Sequence, residues 1–211
     1  MENLVWAWIF ALIRFTRGMI HLVRSNRVYL ALIHYPVYNK SGEVIASAVS
    51  NLDLHDISRA AKTYGIKAFY VVTPLVDQQE LVRRIISHWT DGAGAKYNPD
   101  RKAALELVSI AASLDAALED IAGNGHDRPV TVITDARPHP RNISYGKLSE
   151  MLSSDRPFLL LFGTAWGLTQ EFIEAADYVL APIMGPTDYN HLSVRSATAI
   201  VLDRLFGTDK I

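Results

Sequence analysis

The sequence contains no cysteine among its 211 residues. It therefore has no means of forming a disulfide bond, a thiolate metal site or a cysteine nucleophile, which suits a protein of the reducing cytoplasm. Net charge is almost absent too, since 21 lysines and arginines offset 22 acidic residues. Attraction to nucleic acid would consequently need a local cluster of basic side chains, because the chain as a whole offers none.

The motifs of three common enzyme classes are also missing. No predicted strand is followed by Gly-x-Gly-x-x-Gly with an acidic residue about 20 positions further on, which argues against a dinucleotide-binding Rossmann enzyme. The glycines at 91–95, DGAGA, lack the Gly-Lys-Ser/Thr ending of a phosphate-binding P-loop and predict a mobile loop. We expect no metal site, because the histidines show no paired i, i+4 spacing; they occupy positions 21, 34, 55, 88, 126, 139 and 191.

The apolar run at residues 4–13, LVWAWIFALI, is about half as long as the roughly 20 residues that span a bilayer. Behind it, Arg14, Arg17, His21 and Arg24 fall on one stripe of a helix. We expect residues 1–26 to form an amphipathic helix or linker that docks on a partner or fused domain. A helix that lies on a membrane surface, which we favour less, or that binds RNA phosphates is the alternative.

Short apolar runs alternate with helical patterns through the rest of the chain and predict one mostly parallel α/β sheet. The expected strands are residues 28–33, 66–72, 108–112, 130–134, 158–162 and 178–181. Helices are expected at about 54–64, 77–89, 114–122 and 192–206, with shorter ones after Asn98 and Thr169. Ser41 and Gly42 indicate a turn, and no hairpin is predicted.

Two loops leave the same ends of neighbouring predicted strands, one at residues 163–167 and one after residue 181. Ligands of α/β sheets bind outside the carboxyl ends of the strands. Gly163 and Gly167 would let backbone groups approach a flat ligand closely, although turn formation and helix packing explain such glycines equally well. The pattern alone therefore leaves a ligand site and a simple turn open.

Three stretches of the sequence match a known class in the same order. ALIHYPVYNKSGEVIASAVSNLDLHDISRAAKTYGI, LFGTAWGL and NHLSVRSATAIVLDRL resemble the three motifs of the SPOUT RNA methyltransferases, which use S-adenosylmethionine. The chain resembles most the bacterial group that occurs alone or fused behind tRNA guanine methyltransferases. The resemblance covers residues 27–211 and implies one domain with helices on both faces of the sheet and a deep C-terminal trefoil knot.

The resemblance also implies a site for S-adenosylmethionine, with S-adenosylhomocysteine as product, and a homodimer in which Arg59 of one chain faces the cofactor of the other. Asp53, Arg59, His191 and Ser193 are the candidate catalytic residues. Arg195 stands where the ribose-methylating pattern has a small residue, so ribose 2′-hydroxyl and base nitrogen both stay open as targets. The cofactor-binding residues would be Thr134, Leu161, Phe162, Gly163, Thr164, Gly167, Ile183, Tyr189, Asn190, His191, Leu192 and Ser193.

A basic segment follows the strand at 130–134. Arg137, Arg141 and Lys147, with His139 among them, form the best local patch for RNA phosphates, although a surface loop stiffened by prolines explains the segment nearly as well. We expect a cytoplasmic enzyme that methylates tRNA or rRNA. The alternative is a cofactor-binding RNA-interaction module that has no transfer activity and serves another methyltransferase; the cationic N-terminal segment motivates it.

Overall fold

The computed structural model describes residues 25–123 and 127–208. The amphipathic helix expected over residues 1–26 lies outside the described residues, apart from its last two positions. The strands are β1 (Val28–Ile33), β2 (Val37–Tyr38), β3 (Val44–Ile45), β4 (Ala68–Val72), β5 (Val108–Ala111), β6 (Val130–Thr134), β7 (Asn142–Ile143), β8 (Phe158–Gly163) and β9 (Tyr178–Leu180). The helices are α1 (Asn51–Thr63), α2 (Val76–Thr90), α3 (Ala93–Tyr97), α4 (Pro99–Leu105), α5 (Leu114–Gly123), α6 (Tyr145–Met151), α7 (Gln170–Ala175) and α8 (Val194–Phe206).

Seven of these strands form one sheet in the order β5-β4-β1-β8-β6-β9-β7. Every neighbouring pair in this sheet is parallel. All six predicted strands belong to it, which confirms the expected mostly parallel α/β architecture. The chain places β8 between β1 and β6, so the ends of β6, β8 and β9 meet at one edge. The trefoil knot stays a prediction.

The central strands are apolar on both faces because helices cover both. In β1, Val28, Leu30 and Leu32 pack with α1, α2, α6 and α8 in one core. The alternate residues of β1, namely Tyr29, Ala31 and Ile33, pack with α5 and α7 in the other core. Burial on both faces explains why these strands are uninterrupted apolar runs and not alternating patterns.

Two predictions about local structure are wrong. β2 and β3 pair antiparallel as a small hairpin, where none was expected. Its turn is stabilised by Asn39, whose side-chain oxygen accepts hydrogen bonds from two backbone amides, and by Gly42 at a φ of 79°. The glycine segment at 91–95 is not a loop throughout, because helix α3 begins at Ala93 and Gly94 is buried. Within the described ranges, no helix is long and apolar enough to cross a membrane.

Candidate functional site

A cavity of about 810 Å³ lies where β6, β8 and β9 end, which is where the resemblance implies a cofactor site. Such a volume is typical of a small-molecule or cofactor site. Its walls come from the segments after these three strands, from the start of α8 and from the first turn of α1. Residues that line it include Ser47, Ala48, Asp53, Thr134, Asp135, Arg137, Tyr145, Phe162, Gly163, Thr164, Trp166, Gly167, Leu180, Ile183, Asn190, His191, Leu192, Ser193 and Ala197.

The turn after β8 is held in a conformation that suits glycine. Gly167 has a φ of 101°, in the region that side chains disfavour, and its carbonyl accepts from the Tyr38 amide at 2.9 Å. The Trp166 amide donates to the Tyr38 carbonyl at 3.0 Å. At Gly163, an added Cβ would stand only 2.8 Å from Cγ of Leu168. The backbone conformation explains the glycine at 167, and the close contact with Leu168 explains the glycine at 163. The hydrogen bonds to Tyr38 of the hairpin hold this turn at the cavity wall.

A chain of hydrogen bonds runs from the cavity wall to buried His34. Thr164 Oγ1 donates to the Ile33 carbonyl at 2.9 Å, so its hydroxyl accepts from Ser47 Oγ at 2.6 Å. Ser47 has then used its proton and accepts from Nδ1 of His34 at 2.9 Å. Burial lowers the pKa of His34 from 6.5 to about 4, while a hydrogen bond with the Ser47 backbone opposes this. The histidine is therefore neutral, with its proton on Nδ1 and an unpartnered Nε2.

One carboxylate on the cavity wall is paired with the last helix. Asp53, in the first turn of α1, lies 3.4 Å from Nη1 of Arg195 in the first turn of α8. Nε of the same arginine lies 3.5 Å from Asp56. Burial raises the pKa of Asp53, Arg195 opposes this and Asp56 adds to it. Arg195 thus joins the first and third motifs, and Asp53 is a carboxylate with heightened proton affinity at the cavity.

The second carboxylate of the cavity, Asp135, directly follows β6. Arg137 donates to it at 2.8 Å and Nε2 of His139 lies 3.0 Å away. Burial alone would raise the pKa of Asp135, but the hydrogen bonds from Arg137 and His139 outweigh it and hold the pKa below its ordinary value. This charge is consequently neutralised by its neighbours.

The loop before α8 closes the remaining side of the cavity. The Asn190 side chain donates to the Ala136 carbonyl at 2.8 Å, which ties this loop to the segment after β6. Ser193 caps α8, since its hydroxyl accepts from the Ser196 amide at 3.2 Å. The His191 ring stands edge-on to the exposed ring of Tyr189, with centroids 5.3 Å apart.

The structure brings most of the predicted site residues to this cavity. Every predicted cofactor residue except Leu161 and Tyr189 lines it, and so do the catalytic candidates Asp53, His191 and Ser193. Leu161 is fully buried in the core shared with α5 and α7. Arg59 lies elsewhere, in a groove beside α4.

The predicted RNA-binding residues each contact other groups of the chain. Arg137 lines the cavity and pairs with Asp135, whereas Lys147 lies 3.6 Å from Glu150. Arg141 donates to the carbonyls of Ile173 and Ala176 at the end of α7. All three guanidinium or ammonium groups thus have partners within the chain.

The sequence reasoning missed several residues of the cavity. Ser47 lies in a polar segment after the hairpin, and nothing local marks it as a neighbour of Thr164. Asp135 carried a usable signal, because it directly follows a predicted strand whose end was assigned to the site. Among residues 25–123 and 127–208, no group of three or more histidine or acidic side chains could hold a metal ion.

Comparison with known proteins supplies the chemistry. The model of a family described as SAM-dependent RNA methyltransferases matches residues 27–207. An uncharacterized protein of Aquifex aeolicus is 41% identical over 194 residues, which cover 91% of this chain and 95% of that protein. A tRNA (guanine-N(1)-)-methyltransferase of Oleidesulfovibrio alaskensis is 43% identical over 183 residues, 87% of this chain. The chain spans only 43% of that enzyme's length.

A solved structure agrees on the fold. The SpoU methyltransferase AviRb of Streptomyces viridochromogenes superposes with a TM-score of 0.52 at 17% identity, covering 86% of this chain and 59% of AviRb. The resemblance read from the three sequence motifs is therefore confirmed at the level of family and fold.

Proposed function

The chain belongs to the SAM-dependent RNA methyltransferases, and we propose that its cavity binds S-adenosylmethionine beside a tRNA nucleotide, whose base nitrogen is methylated. The observation that carries this proposal is the convergence of all three motifs on one cavity. The cytoplasm, where such an RNA is found, is the proposed location. The tRNA target is supported by the 43% identical relative named tRNA (guanine-N(1)-)-methyltransferase.

The residues of the cavity suit this cofactor. Leu180 and Ile183 offer apolar surface for the adenine, and the turn through Gly163 and Gly167 offers backbone groups. Bound S-adenosylmethionine supplies a methyl group activated by its positively charged sulfur.

Asp53 is the proposed proton acceptor. A ring nitrogen such as guanine N1 must lose its proton on methylation, and it does so more readily than a ribose hydroxyl. A carboxylate of raised proton affinity suits that task, and Arg195 holds it in place from α8. Arg195 stands at the position where the ribose-methylating pattern has a small residue, so this pairing favours the base over the ribose. His191 and Ser193 flank the same wall.

The test is methylation of unmodified tRNA followed by mass spectrometry of its nucleosides. A methylated base is expected, whereas a 2′-O-methylated nucleoside would contradict the proposed target. Asp53→Asn should reduce transfer by roughly 10²- to 10⁴-fold and leave cofactor binding intact. Asp56→Asn is the matched control, because Asp56 contacts the same arginine but does not line the cavity. Cofactor binding without any transfer would favour the RNA-interaction module.

We also propose a homodimer in which Arg59 completes the partner's site. Arg59 is exposed and does not line the cavity of its own chain, and Leu192, on the cavity wall just before the last helix, is 46% exposed. A partner subunit would cover the exposed leucine and would bring the arginine to the cavity. In a two-fold pair, both sites would gain the arginine.

Subunit mixing tests this arrangement. Arg59→Ala and Gly163→Val, each inactive alone, should regain partial activity when unfolded and refolded together, because mixed dimers contain one intact composite site. Light scattering supplies the oligomeric state. A monomeric protein, or mixed dimers without recovered activity, would exclude a shared site.

A further inference from the structure

A second hollow, of about 390 Å³, lies between the end of α1 and helix α4. We call it the cationic groove and define it by Arg59, Lys62 and Arg101. The other residues that line it are Thr63, Asn98, Asp100, Ala103 and Ala104. It shares no lining residue with the cavity at the strand ends.

The charges of this groove are not balanced within the chain. Among the described residues, none of its three cations forms an ion pair, and Asp100 is the single carboxylate that lines it. Cationic side chains elsewhere on α4 and on α2 do form ion pairs, since Lys102 pairs with Glu106 and Arg84 with Glu80. A concave site with surplus positive charge concentrates anions. The groove is therefore built for an anionic ligand.

Arg101 is oriented by its surroundings. Its guanidinium carbon lies 4.5 Å from the centroid of the Trp89 ring. The Asn98 side chain caps α4 by accepting a hydrogen bond from the Arg101 amide at 2.9 Å, which fixes the backbone of Arg101 in the first turn of that helix. A guanidinium that an aromatic ring holds in place is suited to binding phosphate oxygens.

An exposed aromatic residue adjoins the groove. Tyr97, which is 85% exposed, directly precedes Asn98 in the chain. Bases of single-stranded nucleic acid stack on such side chains beside cationic grooves. We propose that the cationic groove binds the phosphodiester backbone of the substrate RNA, with a base stacked on Tyr97. The identity of the ligand as RNA depends on the proposed function.

Within one chain, the Lys62 and Arg101 side of the groove is remote from the reacting nucleotide. Asp53 and Lys62 are nine residues apart on α1, about 14 Å along the helix axis at 1.5 Å per residue. At about 100° per residue they project from opposite sides of the helix. Lys62 and Arg101 thus hold a part of the RNA distant from the base in the cavity of the same chain. Loss of these two charges should raise KM for RNA and leave kcat unchanged, because they contribute binding and not chemistry.

The experiment measures binding of a fluorescently labelled, unmodified tRNA transcript at several salt concentrations. The double variant Lys62→Gln/Arg101→Gln should bind about tenfold more weakly, and its salt slope should fall by about 1.4, or 0.7 for each lost contact with a single strand. Lys62→Gln alone should give half of that change in slope, and it disturbs no contact of Trp89. The matched control is Lys102→Gln, which removes a paired charge from the same helix and should change neither quantity.

Each outcome decides between the ligands. An unchanged slope in both groove variants would overturn the proposal, and so would displacement of the RNA by inorganic phosphate at the low concentrations that a small-anion site needs. Tyr97→Ala should weaken binding without altering the slope, since stacking releases no counterion; a Tyr97→Ala variant that binds normally would contradict the stacked base. These measurements need no catalysis, so they can succeed even where the methyl-transfer proposal fails.

Discussion

The cavity and the cationic groove differ in whether their charged side chains are paired. In the cavity, Asp53 is paired with Arg195, and Asp135 is paired with Arg137. In the cationic groove, Lys62 and Arg101 have no ion-pair partner among the described residues. Paired charges orient a ligand without demanding a net charge from it, whereas unpaired cations select a polyanion. The difference supports the proposed division, in which the cavity carries out the chemistry and the cationic groove binds RNA.

A histidine with one unpartnered buried nitrogen lies near each hollow, again in different settings. His34 belongs to the hydrogen-bond chain that reaches Thr164 at the cavity wall. His55 stands edge-on to Trp89, with ring centroids 5.5 Å apart. Burial lowers the pKa of His55, and the charge of Arg101 lowers it further. The first histidine is connected to the cavity wall by hydrogen bonds, and the second lies close enough to Arg101 for that charge to lower its pKa.

The largest effect should come from filling the turn beside the cavity. Gly163→Val places side-chain atoms against Leu168, so we expect cofactor affinity to fall by roughly 100-fold or more, about 3 kcal/mol. Calorimetry with S-adenosylmethionine measures it. Gly123→Val is the control, because a Cβ there meets nothing within 4 Å. A folded Gly163→Val protein that binds the cofactor normally would remove the cavity from the proposed function.

The next prediction concerns the pH dependence of the free energy of unfolding, to which buried His34 should contribute. The unfolded chain takes up a proton on His34 as pH falls through 6.5, while the folded protein does so only near pH 4. Stability from this group is therefore complete above about pH 7 and is lost between pH 6.5 and 4, by about 3 kcal/mol. His34→Asn keeps a donor for Ser47 and should flatten this part of the pH dependence.

Urea unfolding at pH 7 and pH 4.5 measures that difference. His88→Asn, which changes an exposed histidine of α2, should retain the dependence of the unaltered protein. Carboxylates titrate alike in all three proteins and cancel in the comparison. Equal pH dependence in His34→Asn and the unaltered protein would mean that His34 is not held neutral by burial.

The third effect tests the pairing of Asp53. Arg195→Gln removes the cation that opposes the raised pKa of this carboxyl, so the pKa should rise further. Because a proton acceptor works only when ionised, the acidic limb of the pH–rate profile should move to higher pH. Single-turnover transfer measures it, with Arg83→Gln as a control whose carboxylate partner, Glu80, lies away from the cavity. An unmoved limb would exclude Asp53 as the titrating base.

The sequence alone predicts the fold well because its decisive signals are local. Strands such as Val28–Ile33 and Phe158–Gly163 are buried on both faces and form apolar runs that need no partner to be recognised. The hairpin was missed because each of its strands is two residues long, too short for an alternating pattern. α3 was missed because Gly92 and Gly94 argue against a helix, and the packing of Gly94 against Trp89 overrides that preference.

The residues of the site can likewise be divided into those that local signals predict and those that depend on contacts between distant segments. Glycines and strand ends mark the cavity, so residues such as Gly167 and Asn190 could be placed from the sequence and the motifs. The partners of the charged groups could not, because Asp53 and Arg195 lie far apart in the chain and meet only when α1 packs on α8. For the same reason, Arg141 was assigned to RNA although its guanidinium binds the carbonyls that end α7.

The smallest effect is expected from Lys147, which the sequence assigns to RNA. Its ammonium lies 3.6 Å from Glu150, and its side chain is 60% exposed, so the carboxylate already offsets much of its charge. Lys147→Gln should therefore lower the salt slope of tRNA binding by about half of the 0.7 expected for a free contact, less than Lys62→Gln does. Glu150→Gln should raise the salt slope of tRNA binding, because it leaves Lys147 without its carboxylate partner. If Lys147→Gln matched the groove variant, or if Glu150→Gln left the slope unchanged, internal pairing would not be what separates the two hollows, and RNA would lie along the segment after β6.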